Sequence, residues 1–471
     1  MLRIAEAEAH VAPVATRIPF RYGIAEMTRA PHVLVQVRIA TPAGEATGWA
    51  SEHLPPKWFI KDAELPFADE VAILATSILA SLDAARRIEA PHAFAFVCEL
   101  DRQQSAWAAP AGMSGLVAGL GVSLVERALI DAVCRLERKP FADALDDGTL
   151  GFSASDIHPE LRDVPRGAAH RRRQIAVRHT VGLADPLLDA HVTDDPGDGL
   201  PVSVESAIRR YGVTRFKLKT VGDVEADVSR ISALVQLCER LGVDPRFTID
   251  GNESMRTADH LSGWMRGLYS SPVAETLRSR LDAIEQPMFR DVALGDEAQA
   301  ALAEVGSLAP VIIDESDDAM TTVRRAMDIG YAGGTYKGCK GVFRGLANAA
   351  LVAHRDAPER RTALTAEDLS TIPPLTVNQD LVVASAMGLS HIERNGHHYF
   401  ARFAPLEASF SERVVAAHPD AFAVISGAPR LRIADGQIAI GTLLDAPFGL
   451  APEPAIASTT PLTSVAAAAL A

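Results

Sequence analysis

Short apolar runs recur along the middle of the chain, and several of them end on a charged residue. Phe247-Thr248-Ile249 leads into Asp250, Ala283-Ile284 into Glu285, and Val311-Ile312-Ile313 into Asp314. Runs of this length bounded by polar residues read as buried strands. The three acids lie 35 and 29 residues apart, about what one parallel strand and its crossover helix need. Successive parallel strands would then carry all three carboxylates to the same end of one barrel or sheet. Residues 214–219 read as a further strand, and its period of two puts Lys217 and Lys219 on one face, towards the interior. Residues 333–341 add another basic position, Lys337, one unit past Asp314. Strands are also expected over 362–368 and within 389–398, where His391 and Glu393 alternate onto one face.

On either side of this series the pattern changes. Residues 32–39 and 41–50 read as a strand, a turn and a second strand, hence a hairpin. Over 121–145 apolar positions recur at helical spacing, which predicts a core helix with Glu126 and Asp131 as capping or surface groups. The first strand of the series is expected near 178–182. The stretch 184–200, rich in Asp, Pro and Gly, reads as a loop at the catalytic end. Residues 431–440 suggest another hairpin with an Asp-Gly turn, and the tail from 451, Pro- then Ala-rich, carries too little patterned apolar surface to count as a domain.

Composition narrows the function classes. The 471 residues are 48% hydrophobic and 23% charged, enough for a barrel and a second domain. A net charge of −14 argues against a sequence-independent nucleic-acid binder. The basic run His170-Arg171-Arg172-Arg173 reads as a solvated loop or an intersubunit contact. No apolar run is long enough to span a bilayer and the N-terminus does not read as a secretory signal, so no membrane partner and a cytoplasmic location are expected. Cys98, Cys134, Cys238 and Cys339 lack metal spacing and are expected to be reduced.

Three converging carboxylates call for a cation, and hard oxygen ligands suit Mg²⁺, with Mn²⁺ as the alternative. Two lysines pointing inward beside a metal would have their pKa lowered towards the range of a base. The Lys-x-Lys at Lys217 and Lys219, Asp-x-Asn at Asp250 to Asn252, Glu-Gln-Pro at Glu285 to Pro287, Asp-Glu at Asp314 and Glu315, and the strand lysine Lys337 together resemble the enolase superfamily. Within it they resemble the muconate-lactonizing and dipeptide-epimerase type of the mandelate racemase/muconate lactonizing enzyme family. The resemblance implies a modified TIM (β/α)7β barrel over 178–400. It also implies an α+β capping domain over 1–145, completed by about 401–450, with 146–177 as a polar linker and 451–471 as the tail.

Asp250, Glu285 and Asp314 would be the metal ligands, Lys219 and Lys337 acid/base groups on opposite faces, Lys217 an electrostatic neighbour, and Asn252 and Glu315 supports behind the ligands. The chain departs from the family after Lys337, where Gly-Cys-Lys340 leaves Lys340 open as the working residue. No histidine marks the racemase type on the 362–368 strand. The implied cap loops, near 20–27 and 51–59, would close over the barrel mouth. Glu52, His53 and Trp58 would line the substrate there, with Lys340, Glu367, Asp368, His391 and Glu393 from the barrel. The expected substrate is a small carboxylate and the expected assembly a homo-oligomer. Racemisation, epimerisation or cycloisomerisation stands beside dehydration of a hydroxy or sugar acid, and beside a non-catalytic metal-binding relative.

Overall fold

In the computed structural model, which describes residues 1–454 except 166, 360, 402 and 405–406, and then 459–468, the chain forms a cap and a barrel. The cap opens with β1 (Leu2–Ala12), the hairpin β2 (Ala15–Tyr22) and β3 (Ala25–Arg29), and the hairpin β4 (His32–Thr41) and β5 (Gly44–His53). β1 and β4 pair antiparallel, as do β4 and β5, and β6 (Glu89–Ala90) adds to β1. Val33, Leu34, Val35, Val37 and Ile39 of β4 are fully buried; β4 packs on the helix α3 (Gly115–Glu137), which in turn packs on α1 (Phe67–Ala85) and α2 (Ala93–Ala108). A Cβ on Gly48 would lie 2.1 Å from the Ala128 carbonyl oxygen, so only glycine lets β5 sit this close to α3.

The barrel is built from β7 (Gln174–Val181), β8 (Arg215–Lys219), β9 (Arg246–Asp250), β10 (Leu281–Glu285), β11 (Val311–Ile313), β12 (Gly333–Lys337), β13 (Ala363–Glu367) and β14 (His391–Arg394). All eight are parallel and in sequence order, and β14 pairs with β7 to close the ring. At least one helix separates each successive pair, so seven strand–helix units and a closing strand make up the expected (β/α)7β barrel under an α+β cap. Alternation sends every second side chain into the bore. Ala283, Ile312 and Ala332 form a small apolar patch of their own, Thr335 and Thr365 hydroxyls meet at 2.8 Å above it, and the strand ends carry the charged residues.

Three expectations are refined. The Asp435-Gly436 turn forms, with Ala434 and Gln437 exchanging backbone hydrogen bonds across it, but the flanking strands find other partners: Phe422–Ile425 pairs with Ala428–Leu431, and Gln437–Ala439 runs antiparallel to β7 of the barrel. The tail, not expected to be a domain, adds to the cap: Thr460–Pro461 extends the cap sheet beside β1, and Leu462–Ala468 packs on α1, with Leu462 fully buried. Residues 455–458 and 469–471 of that tail lie outside the described residues. Glu126 and Asp131 are buried, not surface groups. Glu126 accepts the amides of Val342 and Phe343 at the start of the helix Val342–His354, and Asp131 accepts the Trp49 amide. No described helix is long and apolar enough to cross a membrane.

Buried histidines lie outside the bore between β7 and the helix Gly396–Tyr399, where His179 Nδ1 is 3.1 Å from His397 Nε2. Burial, and then His398, push His179 down to about 3. The unfolded chain protonates it near 6.5, so its contribution is complete above that pH and is lost as pH falls towards 3. A His179→Asn variant should narrow the stability difference between pH 7.5 and pH 5 by about 2 kcal/mol. Urea unfolding at the two pH values measures it, and an unchanged gap contradicts the assignment.

Candidate active site

The ends of the barrel strands bring together a dense set of opposite charges. Lys217 Nζ sits at the centre, 2.7 Å from Glu285 Oε1, 2.6 Å from Glu367 Oε2, 3.0 Å from Asp250 Oδ2 and 3.2 Å from Glu393 Oε2. Lys219 Nζ donates to Asp250 Oδ2 at 2.6 Å. On the far wall Lys337 Nζ lies 2.5 Å from Asp314 Oδ2 and 3.2 Å from Glu367 Oε2. Arg178 anchors Glu367 from below, Nη2 to Oε1 at 2.7 Å. Lys217, Glu285, Asp314 and Glu367 are each at most 1% exposed, so these charges interact with little solvent screening.

That crowding sets the protonation states. Burial opposes the charged form of Lys217, yet the four surrounding carboxylates hold its pKa well above the usual lysine range. Lys337 is raised in the same way, against burial, by Asp314 and Glu367. For Lys217 the shift is upward and not the expected downward one, because carboxylates and not ammonium groups dominate its surroundings. Burial also acts on Asp314, but Lys337 and Lys340 hold it below the ordinary carboxylate value. Glu285 is pushed well above that value, by burial first and then by neighbouring Glu367.

Among the described residues, the carboxylates whose oxygens cluster closely enough to share one metal ion are Glu285, Asp314 and Glu367, with one oxygen of each within 4.8 Å of the others. Asp250, the third ligand expected from sequence, has both oxygens occupied by donors: Oδ1 by the Asn252 amide at 2.8 Å, Oδ2 by the two lysines. Asn252 Nδ2 reaches Glu315 Oε1 at 3.4 Å behind the site. Burial and then Asp314 push Glu315 up to about 7.

Sequence reasoning passed over Gln286, whose Oε1 accepts the Asp314 amide at 2.7 Å while its Nε2 donates to Met288 O and Ser316 Oγ. Its position inside the Glu-Gln-Pro motif was the available signal. Lys340 Nζ donates to the carbonyls of Asp314 and Thr335 at 2.9 and 2.8 Å and lies 2.9 Å from Asp314 Oδ1, so it braces the loop after β11 beside the Asp314 carboxylate.

The remaining substrate candidates divide. Trp58 lies at the mouth, its ring centroid 4.8 Å from Lys337 Nζ, and Glu393 faces the bore. Glu52 and His53 do not line the mouth. β5 carries them into the seam between cap and barrel, where Glu52 pairs with Arg127 at 3.1 Å and His53 Nδ1 lies 2.7 Å from Ser370 O. Asp368 alternates outward from Glu367 and pairs with Arg394 at 2.5 Å. His391 shares a face with Glu393 but opens its strand at the end away from the mouth, where its Nδ1 is 2.9 Å from Arg178 Nη1. It therefore lies too deep for the distal half of a substrate.

Tyr22, not singled out from sequence, matches Trp58 on the other side, its ring centroid 6.0 Å from Lys219 Nζ. Each aromatic is held by a clasp between cap and barrel. Arg17, on the strand carrying Tyr22, bonds both oxygens of Asp198 at 2.6 and 2.8 Å and the carbonyls of Leu200, Pro201 and His398. Arg290 bonds the carbonyls of Trp58 and Phe59 at 2.9 and 3.0 Å and pairs with Glu253, which also meets Lys61 of the cap at 2.9 Å. The 184–200 loop thus lies at this end of the barrel, as its composition suggested.

No protein-family model and no curated protein matches the sequence. Solved structures do. A mandelate racemase/muconate lactonizing enzyme from Bordetella bronchiseptica RB50 superposes with a TM-score of 0.60 at 17% identity, covering 99% of each chain. A dipeptide epimerase from Enterococcus faecalis V583, complexed with Mg and the dipeptide L-Leu-L-Tyr, gives 0.59 at 14% identity over 95% of this chain and 99% of that one. The L-Ala-D/L-Glu epimerase from Bacillus subtilis gives 0.59 at 15%, over 96% and 100%. Identities this low carry the fold and not the chemistry: the chain shares the barrel-and-cap fold of these mandelate racemase/muconate lactonizing enzyme and dipeptide epimerase structures.

Proposed function

We propose that this protein is a Mg²⁺-dependent isomerase, a racemase, epimerase or cycloisomerase, that removes and returns the proton next to the carboxylate of a small molecule. The observation that carries the reading is the pairing of two buried lysines, Lys219 and Lys337, on opposite walls of one bore, with carboxylates between them and an aromatic ring of the cap over each. The donor set fits the ion: hard carboxylate oxygens, with Glu285 Oε2 buried and receiving no N–H or hydroxyl donor among the described residues. Asp250, Glu285 and Asp314 are the proposed ligands, and Mn²⁺ would be accepted at the same oxygens. Bound there, the ion would supply positive charge to the substrate carboxylate as the proton leaves.

The chain's own residues do the rest. Lys217 faces the same carboxylate and stays charged, so it stabilises the negative charge that develops there. With the carboxylates that hold Lys337 up offset by the charge of a bound cation, a neutral amine on one wall would take the α-proton at its Nζ, and the ammonium on the other wall would deliver one from the opposite side, which inverts the carbon. After one turnover the two lysines have exchanged protonation states. The near-complete burial of both excludes bulk water from the carbanion-like stage.

Dehydration of a hydroxy acid would need an acid at the leaving hydroxyl. Glu367 is held by three cations and His391 sits below the site, so neither is placed for that role. The epimerase and racemase neighbours support the isomerase reading. The test is deuterium uptake at the α-carbon across a panel of amino acids, dipeptides, N-acyl amino acids and hydroxy acids in D₂O with Mg²⁺. Exchange in one class is expected, and no exchange in any of them would sink the proposal.

A further inference from the structure

We infer that a cavity outside the barrel bore is a second binding site, for a small organic anion that carries a carboxylate on an apolar body. It lies between the end of β14, the helix Val204–Tyr211 and the hairpin of Phe422–Ile425 with Ala428–Leu431. The isomerase reading is not needed for it. Alternation places the site: Glu393 faces the bore and meets Lys217, so Arg394, the next residue of β14, turns outward to the cavity wall. Among the described residues, none of the lysines or carboxylates of the bore lines it.

Charge selects the ligand. Arg210, Arg394 and Arg430 line the cavity and no described acidic residue does, in a chain whose net charge is −14. Arg394 is 1% exposed; Asp368 meets its Nη1 at 2.5 Å, while its Nε has no hydrogen-bond partner among the described residues. A buried donor without an acceptor is costly. Arg430 is oriented by its Nε bond to the Ile425 carbonyl at 2.9 Å, and Arg210 stands exposed with no ion pair to any described residue. Planar guanidinium groups favour a carboxylate, which can take two N–H donors at once.

Shape and size narrow it further. Leu200, Tyr211, Phe400, Phe403, Leu431 and Ile433 supply apolar wall, each at most 9% exposed. A bare inorganic anion would leave that wall against water, whereas an aromatic or branched carboxylate covers it. The cavity holds about 180 Å³. One water needs roughly 10–15 Å³, and sites for drug-sized ligands and cofactors run to about 300–1,000 Å³. The space therefore suits a single ring with its carboxylate and excludes a nucleotide.

The experiment uses the full-length protein stripped of divalent ions, so that no carboxylate is drawn to a metal in the bore. Crystals are soaked in para-bromobenzoate, which the bromine anomalous signal locates, and calorimetry compares it with uncharged para-bromobenzyl alcohol. The expected result is bromine among Phe400, Phe403 and Leu431, a Kd in the millimolar range or tighter, and at least roughly tenfold weaker binding of the alcohol. The double variant Arg210→Ala/Arg430→Ala should lose at least roughly tenfold in affinity for para-bromobenzoate, with thermal unfolding as the control for folding. The inference is overturned if no bromine enters the cavity, or if it enters at the soaking concentration only and no binding is measured in solution. It is equally overturned if the alcohol binds as tightly as the acid, or if the folded double variant binds like the wild type. Should that variant not fold, the crystals and the alcohol comparison decide. None of these outcomes bears on deuterium uptake at the α-carbon, so failure of this site and failure of the isomerase reading are told apart.

Discussion

Replacing Glu285 with glutamine is expected to cut Mg²⁺ affinity by on the order of 100-fold, about 2.7 kcal/mol, and to abolish α-proton exchange. Glutamine keeps the shape of the side chain and one carbonyl oxygen but removes the charge that a hard cation requires. The same change deprives Lys217 of one of its four acidic neighbours, and the other three still hold it, so the barrel should remain folded. Titration calorimetry measures the loss, with thermal unfolding as a control for folding. Undiminished Mg²⁺ binding would exclude Glu285 as a ligand. Among the described residues Glu285 is fully buried at the end of a central strand, with Oε2 receiving no N–H or hydroxyl donor, so it should give the largest loss of any single carboxylate.

Lys219→Ala and Lys337→Ala should separate the two walls. Each lysine can reach only the face of the α-carbon turned towards it, because β8 and β12 lie four strands apart in the ring. Lys219→Ala is expected to slow exchange of one enantiomer's α-proton by roughly 10²–10⁴-fold and to spare the other, with Lys337→Ala giving the mirror result. Nuclear magnetic resonance of each pure enantiomer in D₂O reads both rates. If either variant exchanges both enantiomers at the wild-type rate, the two-base mechanism fails.

The barrel was legible because its strands are short, fully buried and end on charges, so a one-dimensional pattern of apolar run plus acid or lysine maps directly onto strand ends. Lys217 and Lys219 fell on one face because a strand's period of two permits nothing else. What sequence could not resolve was which carboxylates meet across the bore. Spacing along the chain relates neighbours such as Glu285 and Asp314, but the approach of Glu367 to Glu285 depends on closure of the ring between β14 and β7.

Cap residues were harder for the same reason. Glu52, His53 and Trp58 are nearly adjacent in sequence, yet the end of β5 falls between them and sends the first two into the seam and the third over Lys337. His391 was misplaced in depth and not in direction, since alternation fixes the face of a strand but not how far along the bore a residue lies.

Two clasps grip different parts of the cap, Arg17 with Asp198 on one side of the mouth and Arg290 with Glu253 and Lys61 on the other. The mouth therefore has two doors with separate locks. Each lock holds its own aromatic ring, Arg17 on the strand of Tyr22 and Arg290 on the carbonyl of Trp58. None of the lock residues touches Lys219 or Lys337, which leaves the entrance free to change over evolutionary time, one door at a time, around a proton-transfer pair that stays as it is.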